Sequence, residues 1–246
     1  MIWRQSEGVK WLEARLPGAV AAFSARSGGV SAAPWDRLNV GLLTGDRPAA
    51  VRENRFRVAA ALGLDPGRVV IGRQVHGTTI VAHDSPQSPA PFVTPGVDPP
   101  EADGHHTGEP GLGLLVFVAD CLPIAVAGPE RVAILHGGWR GLASGLVERG
   151  ASAVAATAAV VGPGIGPCCF EVGDEVLEAF AFLGEGIAAG RMLDLREVAR
   201  RLLIRSGVER VELSDLCTCC NPDLFFSHRG EGPETGRQAG LAWRQV

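Results

Sequence analysis

Lysine is almost missing from this chain: Lys10 is the single lysine among 23 basic residues, and it lies near the N-terminus. Schiff-base and pyridoxal chemistry need a lysine amine inside the site, so both are poorly served. No Gly-Lys-Ser/Thr occurs, which removes the P-loop, and tyrosine is absent altogether. With 23 basic against 27 acidic residues the net charge is -4, and no basic run or stripe marks a face for phosphate backbones. A nucleic-acid partner is therefore not expected. Long apolar runs are lacking too. The longest, residues 111–119 and 151–161, fall short of the ~18 to 20 residues of a membrane span. The first twenty residues carry charges throughout and hold no apolar signal core. The expectation is a cytoplasmic protein with no membrane partner, whose six cysteines are thiols, ligands or core residues rather than a disulfide framework. What remains is ordinary globular composition, 46% hydrophobic and 20% charged over 246 residues.

Along the chain, short β-like runs alternate with loops: residues 19–24, then the Gly-rich 26–31, then 38–41. Asp46 with Pro48 predicts a helix start, with Val51, Val58 and Leu62 on one face, arginines opposite, and Gly63 as the stop. Residues 69–71 and 79–82 read as strands bracketing Gln74-Val75-His76-Gly77. Six prolines within 85–100 predict an exposed loop. Residues 112–118, 124–127 and 132–135 read as closely spaced strands, 141–158 as an Ala-rich helix and 174–183 as another. Asp194 and Glu197 form a box-like cap for a helix that Gly207 ends. Residues 208–213 and 224–227 close the pattern as strands. Strands and helices interleave without strict β-α-β alternation. That pattern favours an α+β, mixed α/β layered architecture over a TIM barrel, with one domain spanning 1–246.

Three segments share one pattern, in which an apolar run ends in a metal-capable side chain followed by a small or turn-forming residue. They are Gln74-Val75-His76-Gly77, Val118-Ala119-Asp120-Cys121-Leu122-Pro123 and Ile134-Leu135-His136-Gly137-Gly138-Trp139-Arg140-Gly141. Singly, each reads as a buried thiol or a hydrogen-bonded histidine. Together, two imidazoles and a thiolate suit zinc or copper, and three protein ligands leave a fourth tetrahedral position for water or substrate.

Further segments extend the pattern: Phe23-Ser-Ala-Arg-Ser-Gly-Gly-Val-Ser31, Leu38-Asn-Val-Gly41, Gly162-Pro-Gly-Ile-Gly166, Cys169-Phe-Glu-Val-Gly173, Cys217-Thr218, Phe225-Phe-Ser-His-Arg229 and Thr235-Gly-Arg237. From about Val20 to Arg237 the chain resembles the laccase-domain family, first described as multicopper polyphenol oxidases and now associated with zinc-dependent purine nucleoside phosphorylase activity. The resemblance implies a single domain with mixed sheets and flanking helices in a layered sandwich, similar to the toxin-type cysteine hydrolase fold. It implies a zinc site at His76, Cys121 and His136, which are also the catalytic candidates. The implied reaction is phosphorolysis of adenosine, inosine or methylthioadenosine to free base and ribose 1-phosphate, with adenosine deamination as a second activity. Purine nucleosides and phosphate are then the partners. Two departures stand out: Ala102-Asp-Gly-His-His-Thr107 introduces His105 and His106, as pocket lining, surface residues or an added ligand, and Trp35 replaces another aromatic.

For phosphate, Arg26 in its Gly-rich segment and Arg140 after Trp139 are the anion-binding candidates, with Asn39 counted among the substrate residues. Asp120 reads either as a structural carboxylate or as an acid. Cys168, Cys169, Cys217, Cys219 and Cys220 read as core and site-adjacent thiols, because a four-thiolate site normally has a second Cys-x-x-Cys and the pair Cys168-Cys169 is not one. Two alternatives are carried. A copper polyphenol oxidase would call for roughly ten histidines by ordinary imidazole ligation, and the chain has six. A Cys-His thiol hydrolase or deamidase would use Cys121 as nucleophile.

Overall fold

A computed structural model describes residues 1–94 and 96–245. In chain order the first half contains β1 (Ile2–Ser6), β2 (Val9–Leu16), β3 (Ala19–Ser24), α1 (Pro48–Ala61), β4 (Val69–Val70), β5 (Ile80–His83), β6 (Gly104–Thr107) and β7 (Gly113–Val118). Then come β8 (Leu122–Ala127), β9 (Val132–Gly137), α2 (Trp139–Ala143), α3 (Leu146–Val154), β10 (Ala158–Val161), α4 (Asp174–Phe180) and β11 (Ala188–Ala189). The chain finishes with β12 (Met192–Leu193), α5 (Leu195–Arg205), β13 (Arg210–Leu213), α6 (His228–Glu231) and β14 (Gln238–Arg244).

Two six-stranded mixed sheets form, in the orders β1-β2-β3-β14-β7-β4 and β13-β10-β8-β9-β6-β5. Their inner strands, such as β3, β8, β9 and β10, are buried on both faces and read as continuous apolar runs, because side chains alternate between two hydrophobic layers. On β8 and β9, Ala125, Ala127, Val132 and Ile134 face the first sheet and meet Ala21, Phe23, Leu114 and Val116. Their neighbours Leu122, Ile124, Val126, Ala133 and Leu135 face outward, under Leu146, Val147 and Ala151 of α3 and Val198 and Leu202 of α5. The opposite face of the first sheet is closed by Val58 and Ala59 of α1 against Trp11, Leu115 and Leu241. The result is a single mixed α/β domain of four layers: helix, sheet, sheet, helices. Among the described residues no helix is long and apolar enough to cross a membrane.

Several elements differ from the sequence reading. Asp46 does not cap α1: its carboxylate takes Ser31 Oγ and Asn39 Nδ2, and Arg47 holds the capping position ahead of Pro48. The arginines of α1 do not all face solvent, since Arg55 is buried with Nε on the carbonyl of Val40. The Ala-rich helix is two, α2 and α3, broken where Gly145 takes a φ of 90°. Residues 224–227 are irregular rather than a strand; Phe225 and Phe226 are apolar because the loop itself is buried. The described residues of the proline-rich loop form no helix or strand, as expected, but Phe92 among them is tucked into the core.

The Asp194 cap forms, its carboxylate accepting from the backbone N–H groups of Arg196 and Glu197. Asp194→Ala should therefore cost about 1 kcal/mol. Denaturant unfolding should show a lower midpoint at unchanged slope.

Candidate metal centre and substrate cavity

The chain crosses from the first sheet to the second in the tight turn between β7 and β8, and Cys121 lies in that turn. His136 lies near the end of β9, paired opposite Pro123 of β8. His76 comes from the bend between β4 and β5, where its φ of 60° turns the chain back. One ligand atom from each of the three falls within 4.8 Å of the others. Cys121 Sγ is 3.8 Å from His76 Nε2, and the two imidazoles meet edge to face at 4.9 Å. Space around them depends on Gly138: a Cβ there would stand 2.7 Å from the His76 ring and 3.3 Å from Cys121 Sγ.

Asp103, fully buried just ahead of β6, organises two of the three. Its carboxylate accepts the backbone N–H groups of Val75, His76 and Gly77 at 3.1, 2.9 and 2.7 Å. His136 Nδ1 donates to the same carboxylate at 2.9 Å, which leaves Nε2 facing the cluster. Burial alone would raise the Asp103 carboxyl; the bonds from His136, Gly77 and Val75 outweigh it and hold the group below its ordinary range. Burial would likewise raise the Cys121 thiol, yet the charge and hydrogen bond of His136, with a lesser part from His76, bring it down to about 6. His136 moves the other way, to about 9: burial lowers it, but Cys121 and Asp103 stabilise the imidazolium more strongly. A thiolate at neutral pH, two imidazoles, of which His136 would give up a proton to a metal, and one carboxylate behind His136 make a ligand set that fits a borderline divalent metal.

The trio forms part of the wall of a cavity of about 820 Å³. Phe117, Trp139 and Phe170 give it apolar surface, and Arg140, Arg229 and Arg237 bring guanidinium groups. These arginines are not equivalent. Arg229 is tied to the carbonyls of Cys169 and Glu171. Arg237 spends Nη1 on the carbonyls of Thr235 and Gly236. Arg140 lies 4.4 Å over Trp139, exposed and without a carboxylate partner among the described residues. Pro91 and residues 96–99 of the proline-rich loop also line the space, so part of that loop is cavity wall.

The family described as multi-copper polyphenol oxidoreductase laccase matches residues 20–245. The chain belongs to that family. Its relatives include a protein of Xylella fastidiosa named purine nucleoside phosphorylase, 38% identical over 92% of this chain and 93% of that one. Another, from Escherichia coli, is named purine nucleoside phosphorylase YfiH and is also 38% identical, over 92% of this chain and 94% of the relative. Among solved structures, Bacillus licheniformis YfiH superposes with a TM-score of 0.88 at 30% identity, covering 99% of both chains. YlmD from Geobacillus stearothermophilus gives 0.87 at 33%, covering 100% of this chain and 99% of the other. Mixed sheets within one layered domain are thus the architecture of this laccase-like family.

Against that family frame, the site candidates fall into two groups. His76, Cys121, His136 and Arg140 meet at the cavity; Arg26 and Asn39 do not. Arg26 is buried, with Nε on the carbonyl of Asp36, Nη1 on the carbonyl of Pro222 and on Glu231, and Phe226 beneath its plane. Its donors are spent inside the fold, so the anion-binding expectation for it is corrected. Asn39 is equally internal, bonding Asp46, Gly41 and the backbone N–H of Arg237. Asp120 is the structural carboxylate of the two readings offered, accepting from Thr218 Oγ1, Ser227 Oγ and the N–H of Arg229. His105 is buried against His83 at 3.1 Å, and His106 turns the other way to Arg131, so neither lines the cavity. Asp103 and Arg237 escaped the sequence reading, although both lie in segments quoted there.

The Cys121 assignment predicts reactivity. In chelator-treated protein, alkylation of Cys121 should be half-maximal near pH 6, level off above it and fall below it, because the thiolate is the nucleophile. His136→Ala should move the midpoint up towards the ordinary thiol value of ~8.5. Labelling rates located by peptide mass spectrometry check both.

Proposed function

We propose that this chain is a zinc-dependent purine nucleoside phosphorylase, acting on adenosine, inosine or methylthioadenosine. The observation that carries the reading is the convergence of His76, Cys121 and His136 on a cavity that also holds aromatic walls and the unpaired Arg140. The names of the bacterial relatives supply the reaction class. Zinc bound to the three side chains would supply a Lewis acid with an open position for an oxygen ligand.

The chain's own residues do the rest. Asp103 keeps His136 in the tautomer that presents Nε2 and fixes the bend carrying His76. Arg140 is free to hold phosphate, with Arg237 beside Cys121 and Asp120 as the second positive group. Phe117, Trp139 and Phe170 offer surfaces on which a purine can lie. Held against the sugar, a phosphate oxygen forms a bond to C1′ as the bond from C1′ to the base nitrogen breaks, and the base leaves with a proton. Adenosine deamination is chemistry at a different atom: water would add at C6 of the purine and ammonia would leave, so the nucleoside would bind with C6 rather than C1′ towards the metal site. Six free cysteines suit a cytoplasmic setting.

Two other chemistries remain distinguishable. Copper oxidation of phenols, which the family's description names, is disfavoured by the histidine supply: His83 and His105 are buried against each other and leave this trio as the only His-containing metal cluster among the described residues. A thiol hydrolase is favoured by the lowered Cys121 thiol beside His136.

Incubation of inosine with phosphate should release hypoxanthine and ribose 1-phosphate at a rate that saturates with phosphate. Free ribose, formed regardless of phosphate, would instead establish hydrolysis. Arg140→Ala should weaken phosphate dependence roughly ten- to a hundredfold, about 1.5 to 3 kcal/mol for a charge-assisted bond, with metal content unchanged. Asp103→Asn should lower metal affinity by about 10- to 100-fold, read by competition with a chelator dye.

A further inference from the structure

A second cluster of ligand atoms lies outside the trio. Cys168, Cys169, Cys217 and Cys220 bring their sulfurs within 4.8 Å of one another. Of the thiols read as core and site-adjacent residues, Cys217 is buried and Cys169 half-buried, but Cys168 and Cys220 are exposed. Cys220 Sγ lies 3.3 Å from both Cys168 Sγ and Cys169 Sγ. A disulfide needs about 2.05 Å and joins only two sulfurs. Four sulfurs at ~2.3 Å from one zinc ion stand roughly 3.8 Å apart along each tetrahedral edge; the two 3.3 Å spacings here are somewhat shorter and no pair of the four is further apart than 4.8 Å.

The backbone is also built for a thiolate cluster. The N–H of Gly166 points at Cys217 Sγ at 3.2 Å. Thr218 N–H bonds the carbonyl of Gly164, Asn221 Nδ2 takes the carbonyl of Cys217, and Cys169 N–H closes a turn on Gly166. A side chain at Gly166 would crowd the cluster: a Cβ would stand 2.8 Å from the movable end of Arg196, 3.2 Å from Cys217 Cβ and 3.3 Å from Cys168 Sγ. Arg196 on one side and Arg229, bonded to the carbonyl of Cys169, on the other place positive charge beside what would be a dianionic four-thiolate complex.

We propose that Cys168, Cys169, Cys217 and Cys220 form a second, structural zinc site that pins the 164–170 loop to the 217–221 turn. Zinc replaces four thiol protons, which leave to solvent, and no redox change is involved. The four thiolates fill the coordination shell, so the site has no place for substrate. Its role is architectural. Ile165 and Phe170 on one loop, and His228 and Arg229 just beyond the other, line the cavity, so the ion holds one wall of it in place. The proposal is independent of the catalytic metal and of the reaction.

The test is metal analysis of protein purified under reducing conditions without added metal, on the parent, Cys121→Ala, Cys220→Ser and the double variant. Cys220→Ser should lose about one zinc per chain in both backgrounds, whatever Cys121→Ala does to the first cluster. Should Cys220→Ser fold poorly, cobalt exchange into Cys121→Ala keeps the question decidable, because a tetrahedral four-thiolate site gives an intense sulfur-to-cobalt charge-transfer band. Equal zinc with and without Cys220, no such band in Cys121→Ala, or a disulfide joining Cys220 to Cys168 or Cys169 in the parent would overturn the proposal.

Discussion

A single buried carboxylate holds the cavity together. Asp103 is fully buried, and an ionised carboxylate can remain so only if donors surround it. Four do: the three consecutive N–H groups of residues 75–77 and one imidazole nitrogen. Because the three N–H groups must converge on it, the bend at His76 takes a positive φ, uncommon for residues other than glycine though better tolerated by histidine than by most. The backbone of Asp103 adds to this: its carbonyl takes the N–H of His136, and its own N–H bonds Thr79. A loop and a strand end from different parts of one sheet are thus fixed relative to each other by one residue.

The third donor has a counterpart on the other side. Cys121 follows Asp120, whose φ of 89° makes the turn between the sheets sharp. That strained turn is held by three donors from the segment 218–229, reached from the far end of the sequence. The consequence for chemistry is rigidity. Asp103 stands outside the cavity lining and Asp120, at its wall, spends its oxygens on three donors; together they set the positions of all three donor side chains, which is how an open metal site avoids collapsing on itself.

The trio was legible because each member follows an apolar run and precedes a turn-former, and because three such segments share one pattern. Asp103 was overlooked beside His105 and His106, whose ligand-like chemistry drew attention to the wrong residues of Ala102–Thr107. Arg26 was misread for a similar reason. A glycine-rich segment suggests an anion cradle, but here it brings backbone carbonyls and carboxylates around the guanidinium, and only tertiary contacts reveal that. Cys168 and Cys220 are 52 residues apart, so no local spacing rule can announce their meeting. The break at Gly145 is not legible locally, because Gly141, Gly145 and Gly150 all punctuate the same run and nothing in it says which of them leaves the helix. The edge hairpin β1–β2 and the strand β14 went unread, since pairing partners supply much of what makes a short segment a strand.

The place of β14 carries a consequence for how the molecule comes into being. Made after every other strand, it lies between β3 and β7 in the middle of the first sheet. While the ribosome is still working, β3 and β7 therefore present open edges to each other with nothing between them, and the apolar layer between the sheets cannot close. Nucleation by local hairpins such as β2–β3 or β8–β9 is available early, but the sheet is completed by a contact spanning more than 200 residues, between Ala19 and Arg244. An intermediate lacking β14 exposes two unsatisfied strand edges, the state most open to pairing with another chain. Arg237, at the cavity wall, enters position in the same closing event, so cavity and core are finished together.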